Sequence, residues 1–397
     1  MTITAVRKCP ICEGSDSEIL HTQKFVLPEG HPLSDGYNVV CCTRCGFVYA
    51  DTTAAQEDYD RFYAQFSKYE DQQTASGTGE TPCDAKRLRD TARQVANLLP
   101  SSDARILDMG CANGGLLKSL RELGFKNLCG IDPSPACVAN VRRLGLEAHV
   151  GSLLSPPAET GQFDCVILSH VLEHVQDLKR ATQAMHALTK PRGCIYAEVP
   201  DAARYADYVF APFQDFNTEH INHFSNTSLS NLMLSAGFSL KWQGEKVIES
   251  SPKCPYPSLW GVWLKTGQSS SNFTLTRDKD LAANIRTYIE KSQTIMNGIE
   301  IRLREELAQT PQVIVWGAGQ LTMKLLVETS LASAPIAAFV DGNPINQGKK
   351  LRGILILSPE QMRNLPYPII VATILQQQEI AHQIYRMGLS NRVILLG

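Results

Sequence analysis

The sequence predicts an α/β protein: a doubly wound, Rossmann-like core, a small cysteine-bearing N-terminal module and a second Rossmann-like unit at the C-terminal end. Three observations predict it. The stretch Arg105-Ile-Leu-Asp-Met-Gly-Cys-Ala-Asn-Gly-Gly-Leu-Leu-Lys-Ser-Leu120 reads as buried strand, glycine turn and helix, with Leu116, Leu117 and Leu120 at helical spacing. A second apolar run, Leu128-Cys-Gly-Ile131, ends in Asp132, where a doubly wound fold places the carboxylate that meets ribose hydroxyls. The pattern then returns: Val313-Ile-Val-Trp-Gly-Ala-Gly319 is followed by Ile336-Ala-Ala-Phe-Val340, which ends in Asp341.

The whole chain bounds these readings. Its 397 residues suffice for two or three domains, each with its own core. A net charge of −2 and the lack of a long basic run exclude a nucleic-acid partner held through phosphates. No apolar run reaches the roughly 18 residues of a membrane span, and the first residues lack an apolar signal core. The expected location is the cytoplasm, with no membrane partner, and there the 12 cysteines point to metal binding and buried thiols before disulfides.

In chain order, residues 1–50 form the first module. Cys9-Pro-Ile-Cys12 and Cys42-Thr-Arg-Cys45 are paired knuckles that suit one tetrahedral, structural Zn2+. Cys41 adjoins the second knuckle, but the x-x spacing and the following Gly46 select Cys42. A piece this short has little core, so the metal supplies much of its folding energy. Residues 51–95 read as a helical linker or lid, with Tyr59, Phe62, Tyr63, Phe66 and Tyr69 at near-helical spacing, a break at Gly77-Thr-Gly79 and a helix from Asp84 to Leu99. Residues 96–245 are the nucleotide-binding core. Residues 246–310 read as an irregular linker, rich in Pro252, Pro255 and Pro257 with a polar patch at Gln268-Ser-Ser-Ser-Asn272, then a long helix over 278–307. Trp260 and Trp263 are expected to pack between domains. Residues 311–397 are the second Rossmann-like unit.

Within the core, Asp108-Met-Gly110-Cys-Ala112-Asn-Gly114 departs from the Gly-x-Gly-x-x-Gly of a dinucleotide site and resembles the first motif of class I S-adenosylmethionine (SAM)-dependent methyltransferases. Phe163-Asp-Cys-Val-Ile-Leu-Ser-His170 resembles the fourth strand of that family, Val171-Leu-Glu-His-Val175 the next helix start, and Pro191-Arg-Gly-Cys-Ile-Tyr-Ala-Glu-Val-Pro200 the fifth strand. The resemblance implies a cofactor cleft in which Gly110, Ala112 and Gly114 admit the methionine part of SAM. It puts Asp108 near the ammonium, Asp132 at the ribose and Ser152 at the adenine, where many relatives carry Asp. Ser169 and His170 line the cleft, and His174 is structural.

A polar cluster, Asn217-Thr-Glu219-His220-Ile-Asn-His223, follows the fifth strand. A His beside a carboxylate can accept a substrate proton near neutral pH. The chain is similar here to zinc-module nucleotide-sugar C-methyltransferases, which carry Tyr-x-Glu-His; this chain keeps Glu219-His220 and has Asn217 in place of the tyrosine. The resemblance implies methyl transfer to a small-molecule acceptor, a sugar or similar polar metabolite, free or nucleotide-linked, with His220 as base and Glu219 holding its ring. The missing tyrosine favours oxygen over carbon. Two other readings stay open: an NAD-dependent oxidoreductase using the C-terminal unit, where Thr322 stands in place of a glycine, and a non-catalytic SAM-fold scaffold. That unit also reads as a duplicate used for packing or as a receiver of the nucleotide part, with Lys349, Lys350 and Arg352 as phosphate partners. The oligomeric state is not encoded in any of these patterns.

Overall fold

The computed structural model describes residues 2–65, 78–266 and 273–397. They fall into two units: residues 1–20, 39–208 and 219–285 form the first, and residues 21–38, 209–218 and 286–397 the second. Phe66 and Tyr69 of the expected lid, Gly77 and the 268–272 patch lie outside the described residues.

The first unit opens with strands β1 (Thr2–Thr4), β2 (Asp16–Lys24), β3 (Gly36–Cys42) and β4 (Val48–Asp51), β2 beyond Leu20 and β3 before Val39 belonging to the second unit. Helix α1 (Gln56–Gln65) follows, then α2 (Pro82–Ala96), which starts two residues earlier than the sequence suggests because Pro82 sits at its first turn and the Thr81 hydroxyl accepts from Asp84 N at 3.2 Å.

The core is a seven-stranded sheet. Its parallel strands are β5 (Arg105–Met109), β6 (Asn127–Asp132), β7 (Glu147–Val150), β8 (Phe163–Ser169) and β9 (Thr189–Pro200), alternating with helices α3 (Gly115–Glu122), α4 (Pro135–Arg143) and α5 (Leu178–Leu188). A two-residue strand β10 (Asn222–His223) pairs antiparallel with β4, and helix α6 (Asn226–Ser235) is closed by a Ser225/Ser228 capping box. Strands β11 (Phe238–Ser251) and β12 (Cys254–Lys265) complete the sheet antiparallel, in the order β11-β12-β9-β8-β5-β6-β7. Alternate residues feed two cores: Leu107, Met109, Val166 and Leu168 pack on one side, Ile106, Cys165, Ile167 and Tyr196 on the other. The chain leaves β5 toward β6 and β7, then returns to place β8 on the other flank. The crevice at this reversal, beyond the carboxyl ends of β5 and β8, is where such sheets bind ligands.

The expected irregular stretch after residue 246 is instead this long hairpin. Its prolines mislead because of where they point. Pro257 O accepts from Asp201 N at 3.1 Å, so the backbone groups of Pro257, and of Pro255 two residues away, face the side where β9 has already ended. No ladder donor is lost there. Trp263 is buried in one core of the sheet and Trp260 stacks on Tyr196 on the other side at 6.2 Å, so both tryptophans serve the first unit's own core.

Helix α7 (Leu281–Ala308) carries its buried stripe at Leu281, Ile285, Tyr288, Ser292, Met296, Ile299 and Leu303, with Ile289 and Ile295 only half-buried. The second unit then runs β13 (Val313–Trp316), α8 (Gln320–Glu328), β14 (Ile336–Val340), β15 (Lys350–Leu351), β16 (Ile354–Leu357), β17 (Ile369–Val371), α9 (Gln377–Arg386) and β18 (Val393–Leu395). The sheet order is β15-β16-β14-β13-β17-β18, parallel except for the β15/β16 pair. Among the described residues no helix is long and apolar enough to cross a membrane.

Candidate active site

The glycine loop leaves β5 in a conformation that L side chains rarely adopt: Gly110 has φ +75°, Ala112 +44° and Gly114 +82°. A Cβ at Gly110 would come within 2.9 Å of Val171 Cγ2, so glycine is required there on both counts. The loop is pinned to β6. Gly110 N donates to Ile131 O at 2.7 Å and Ala112 N to Asp132 Oδ2 at 2.8 Å, while the other Asp132 oxygen accepts from Ser134 N at 2.9 Å. Asp132 is thus an anchor of the loop as well as the carboxylate facing the crevice.

Asp108 is buried, and burial, with the neighbouring Asp132 charge second, pushes its carboxyl up to about 8. A cation arriving beside it would be welcome. On the opposite flank, Ser169 ends β8 with its Oγ buried and unbonded, and His170 takes φ +58° while its N–H donates to Glu198 O at 2.8 Å. Ser152 lies past the end of β7 in a tight turn closed with Ser155. A loop that presents bare backbone, an unsatisfied buried hydroxyl and a carboxyl held up by desolvation together fit SAM, whose amino-acid end carries an ammonium.

Beyond His170 runs a chain of acids and imidazoles. Glu198 Oε1 lies 3.4 Å from His170 Nε2, His170 Nδ1 3.2 Å from Glu173 Oε1, and Glu173 Oε1 3.8 Å from His174 Nε2. The His174 ring meets His220 edge-on at 4.8 Å, and ligand atoms of Glu173, His174 and His220 lie within 4.8 Å of one another, close enough to surround one cation. Burial alone would lower the His170 pKa, but Glu173 and then Glu198 outweigh it and hold the ring above its usual value. Glu198 would be raised by its own burial, yet Lys246 Nζ at 2.7 Å and His170 keep it well below the carboxylate range. The carboxylate of Glu173 is 1% exposed, and its Oε1 faces the His170 ring. Glu219 is buried, its backbone O 3.1 Å from His174 Nδ1. Tyr63 from α1 meets His174 edge-on at 5.9 Å, so an aromatic of the linker helix reaches the imidazoles.

In the sequence Glu173 stands between His170 and His174, out of place for a His-Glu-x-x-His metal site, and Glu198 carries no expected role. A signal existed for the second: an acid inside the apolar run Ile195-Tyr-Ala-Glu-Val199 of a central strand must find cationic partners when buried. Asn217, in the second unit, accepts from the Tyr37 hydroxyl through its backbone O at 2.7 Å.

In the N-terminal module, Cys9 Sγ lies 3.5 Å from Cys45 Sγ and Cys12 Sγ 3.5 Å from Cys42 Sγ, with all four sulfurs within 4.8 Å. The edge of a tetrahedron with Zn–S near 2.3 Å is about 3.8 Å, so the four thiols fit one zinc. Gly14 leaves the room: a Cβ there would touch the sulfurs of Cys12 and Cys42 at 3.4 and 3.5 Å.

The second unit repeats the loop geometry of the first. Gly317 N donates to Val340 O at 2.7 Å, Ala318 N to Asp341 Oδ2 at 2.9 Å and Asn343 N to Asp341 Oδ1 at 2.8 Å. Thr322, where a dinucleotide site has glycine, turns its hydroxyl back to Gly317 O at 2.6 Å and so closes its own loop. Lys349 is half-buried, Lys350 and Arg352 are exposed, and Arg352 is engaged with Ala332 O.

Residues 83–241 match the profile of the methyltransferase domain family, and residues 309–395 that described as C2185-like, N-terminal. The chain is 33% identical over 104 residues to the ubiquinone biosynthesis O-methyltransferase of Methylocella silvestris (25% of this chain, 40% of that one) and 37% identical over 109 residues to that of Xanthomonas oryzae pv. oryzae (26% and 45%). It therefore spans less than half the length of these relatives. The ubiquinone biosynthesis O-methyltransferase of Methylobacterium nodulans is 25% identical over 214 residues, covering 49% of this chain and 82% of that one. Among solved structures, a SAM-dependent methyltransferase from Methanosarcina mazei overlaps 44% of this chain and 98% of its own at TM-score 0.38 and 17% identity. Residues 83–241 of this chain carry the methyltransferase domain that this family model describes.

Proposed function

We propose that this chain transfers the methyl group of SAM to an oxygen of a polar metabolite, sugar-like and nucleotide-linked, and that His220 removes the acceptor proton. The observation that carries the proposal is the shared location of the pinned glycine loop and the imidazole cluster Glu173/His174/His220 in one unit, beyond the carboxyl ends of its sheet. SAM brings its own activation in a methyl group on cationic sulfur. The residues of the chain align and deprotonate: Asp108 meets the ammonium, Asp132 the ribose hydroxyls, Ser152 the adenine edge, Ser169 and His170 the cofactor flank. His220 takes the proton and Glu219 supports its ring. Relatives named O-methyltransferases support oxygen as the acceptor atom. Cys9, Cys12, Cys42 and Cys45 hold one structural zinc.

A dehydrogenase reading is weaker, because the Thr322 hydroxyl fills the loop where a pyrophosphate would approach. Mass spectrometry of ligand carried through purification separates the readings: SAM or its demethylated product supports ours, and NAD alone rejects it. Product NMR then decides the acceptor atom, since a new methyl bonded to carbon rejects the oxygen assignment.

A further inference from the structure

We infer that Arg7 is a positioning residue for the proposed reaction: from the cysteine module, it locks the loop carrying Glu173 and His174 to the loop carrying His220. The inference rests on the reading above only in taking His220 as the proton acceptor.

The guanidinium is buried and bridges two loops that are far apart in sequence. Nη1 donates to Ile221 O at 3.1 Å and to Ala50 O at 3.4 Å; Nη2 donates to Gln176 O at 2.6 Å, to Asn222 Oδ1 at 2.9 Å and to Val175 O at 3.4 Å. Asn222 repeats the link with its own amide, donating to Leu172 O at 2.8 Å and Val175 O at 2.7 Å. Ile221 N closes it by donating to Glu173 O at 2.9 Å. His220 lies between Glu219, whose backbone O meets His174 Nδ1, and Ile221, which Arg7 holds.

The clamp belongs to the cysteine module. Arg7 stands two residues before Cys9, its own N–H donates to Asp51 Oδ1 at 2.7 Å, and its carbonyl accepts from the Tyr49 hydroxyl at 3.1 Å. Strand β4, which leads away from Cys45, pairs Tyr49 with Asn222 and Val48 with His223. Burying a guanidinium against carbonyl oxygens is costly, and with Nε left unbonded the cost is offset by the Nη1 and Nη2 bonds that join the two loops. A lysine reaches fewer acceptors from a single point and cannot span both loops.

The test uses the full zinc-loaded chain with SAM as the probe, in Arg7→Lys and, should that variant fail to fold, Asn222→Ala. Three quantities are read: hydrogen exchange of the Ile221 amide, ring 1H–13C signals of His174 and His220 at fixed pH, and SAM affinity by calorimetry. We expect Ile221 exchange to quicken at least tenfold. The two ring signals should shift or double while His149 and His186 keep theirs, and SAM affinity should stay within about threefold. Unchanged Ile221 protection and unchanged His174 and His220 rings would overturn the inference. So would a SAM affinity that falls in step with the exchange, since that marks general loosening. Wild-type protein that never binds SAM, with the variants still loosening Ile221 alone, would reject the methyltransferase reading and leave the clamp standing.

Discussion

Asp108 offers a test that needs no acceptor. Its carboxyl, buried at the end of β5, is pushed up to about 8 from an ordinary value of 3.8, first by desolvation and then by Asp132. The folded protein therefore keeps a proton that the unfolded chain has already lost between about pH 4 and pH 8. Stability contributed by this group falls as pH rises across that window; it is flat above, where both states are ionised, and below, where both are protonated. Each tenfold step in the equilibrium is about 1.4 kcal/mol, so the ceiling is on the order of 5 kcal/mol, and relaxation of a buried site brings it to about half or less. Asn is near in size and cannot ionise. Asp108→Asn should match wild type near pH 4 and gain on it toward pH 8, by several degrees in Tm at the few degrees per kcal/mol usual for a domain of this size. Thermal melts from pH 5 to 9 read the difference, in which other titrating groups cancel. Parallel curves for the two proteins would refute the reasoning. On the proposed role of Asp108 the same variant should also bind SAM less tightly, because Asn cannot give up a proton to meet the arriving ammonium.

Other outcomes follow from the same geometry. Asp132→Ala removes the acceptor of two loop N–H bonds along with the ribose contact, so SAM affinity by calorimetry should fall tenfold or more, at roughly 1 to 3 kcal/mol for bonds to a charged group; unchanged affinity in a folded variant rejects the assignment. Elemental analysis should find about one zinc per chain in wild type and near none in Cys42→Ser; a metal-free wild type purified without chelator rejects the zinc site. Once an acceptor is in hand, His220→Ala should lower turnover by roughly 10² to 10⁴ with SAM affinity nearly intact, and Glu219→Gln should cost less because it keeps a hydrogen bond. Wild-type turnover in His220→Ala removes His220 from the base role.

What the sequence discloses and what it hides divide along a physical line. The glycine loop is legible because a positive φ at Gly110 and Gly114 and a close approach by Val171 demand a residue type, and the demand is met within a few positions of a strand. The two Asp132 and Asp341 anchors are legible for the same local reason, and so is the pair of cysteine knuckles. The hairpin of β11 and β12 is hidden because Pro255 and Pro257 count as breakers unless one knows that β9 ends at Pro200 and leaves their side of the strand unpaired. The imidazole cluster is hidden more deeply. Glu173 and His174 sit in a turn after β8 and His220 lies 46 residues on, while the arginine that holds their loops together stands at position 7. No periodicity or spacing relates these positions. Their conjunction depends on β4 pairing with β10, a two-residue ladder that would not read as a strand from its own Asn222-His223. The legible part of the site is therefore the part whose residue types are demanded within one strand and turn, and the hidden part is the part assembled by pairing across the sequence.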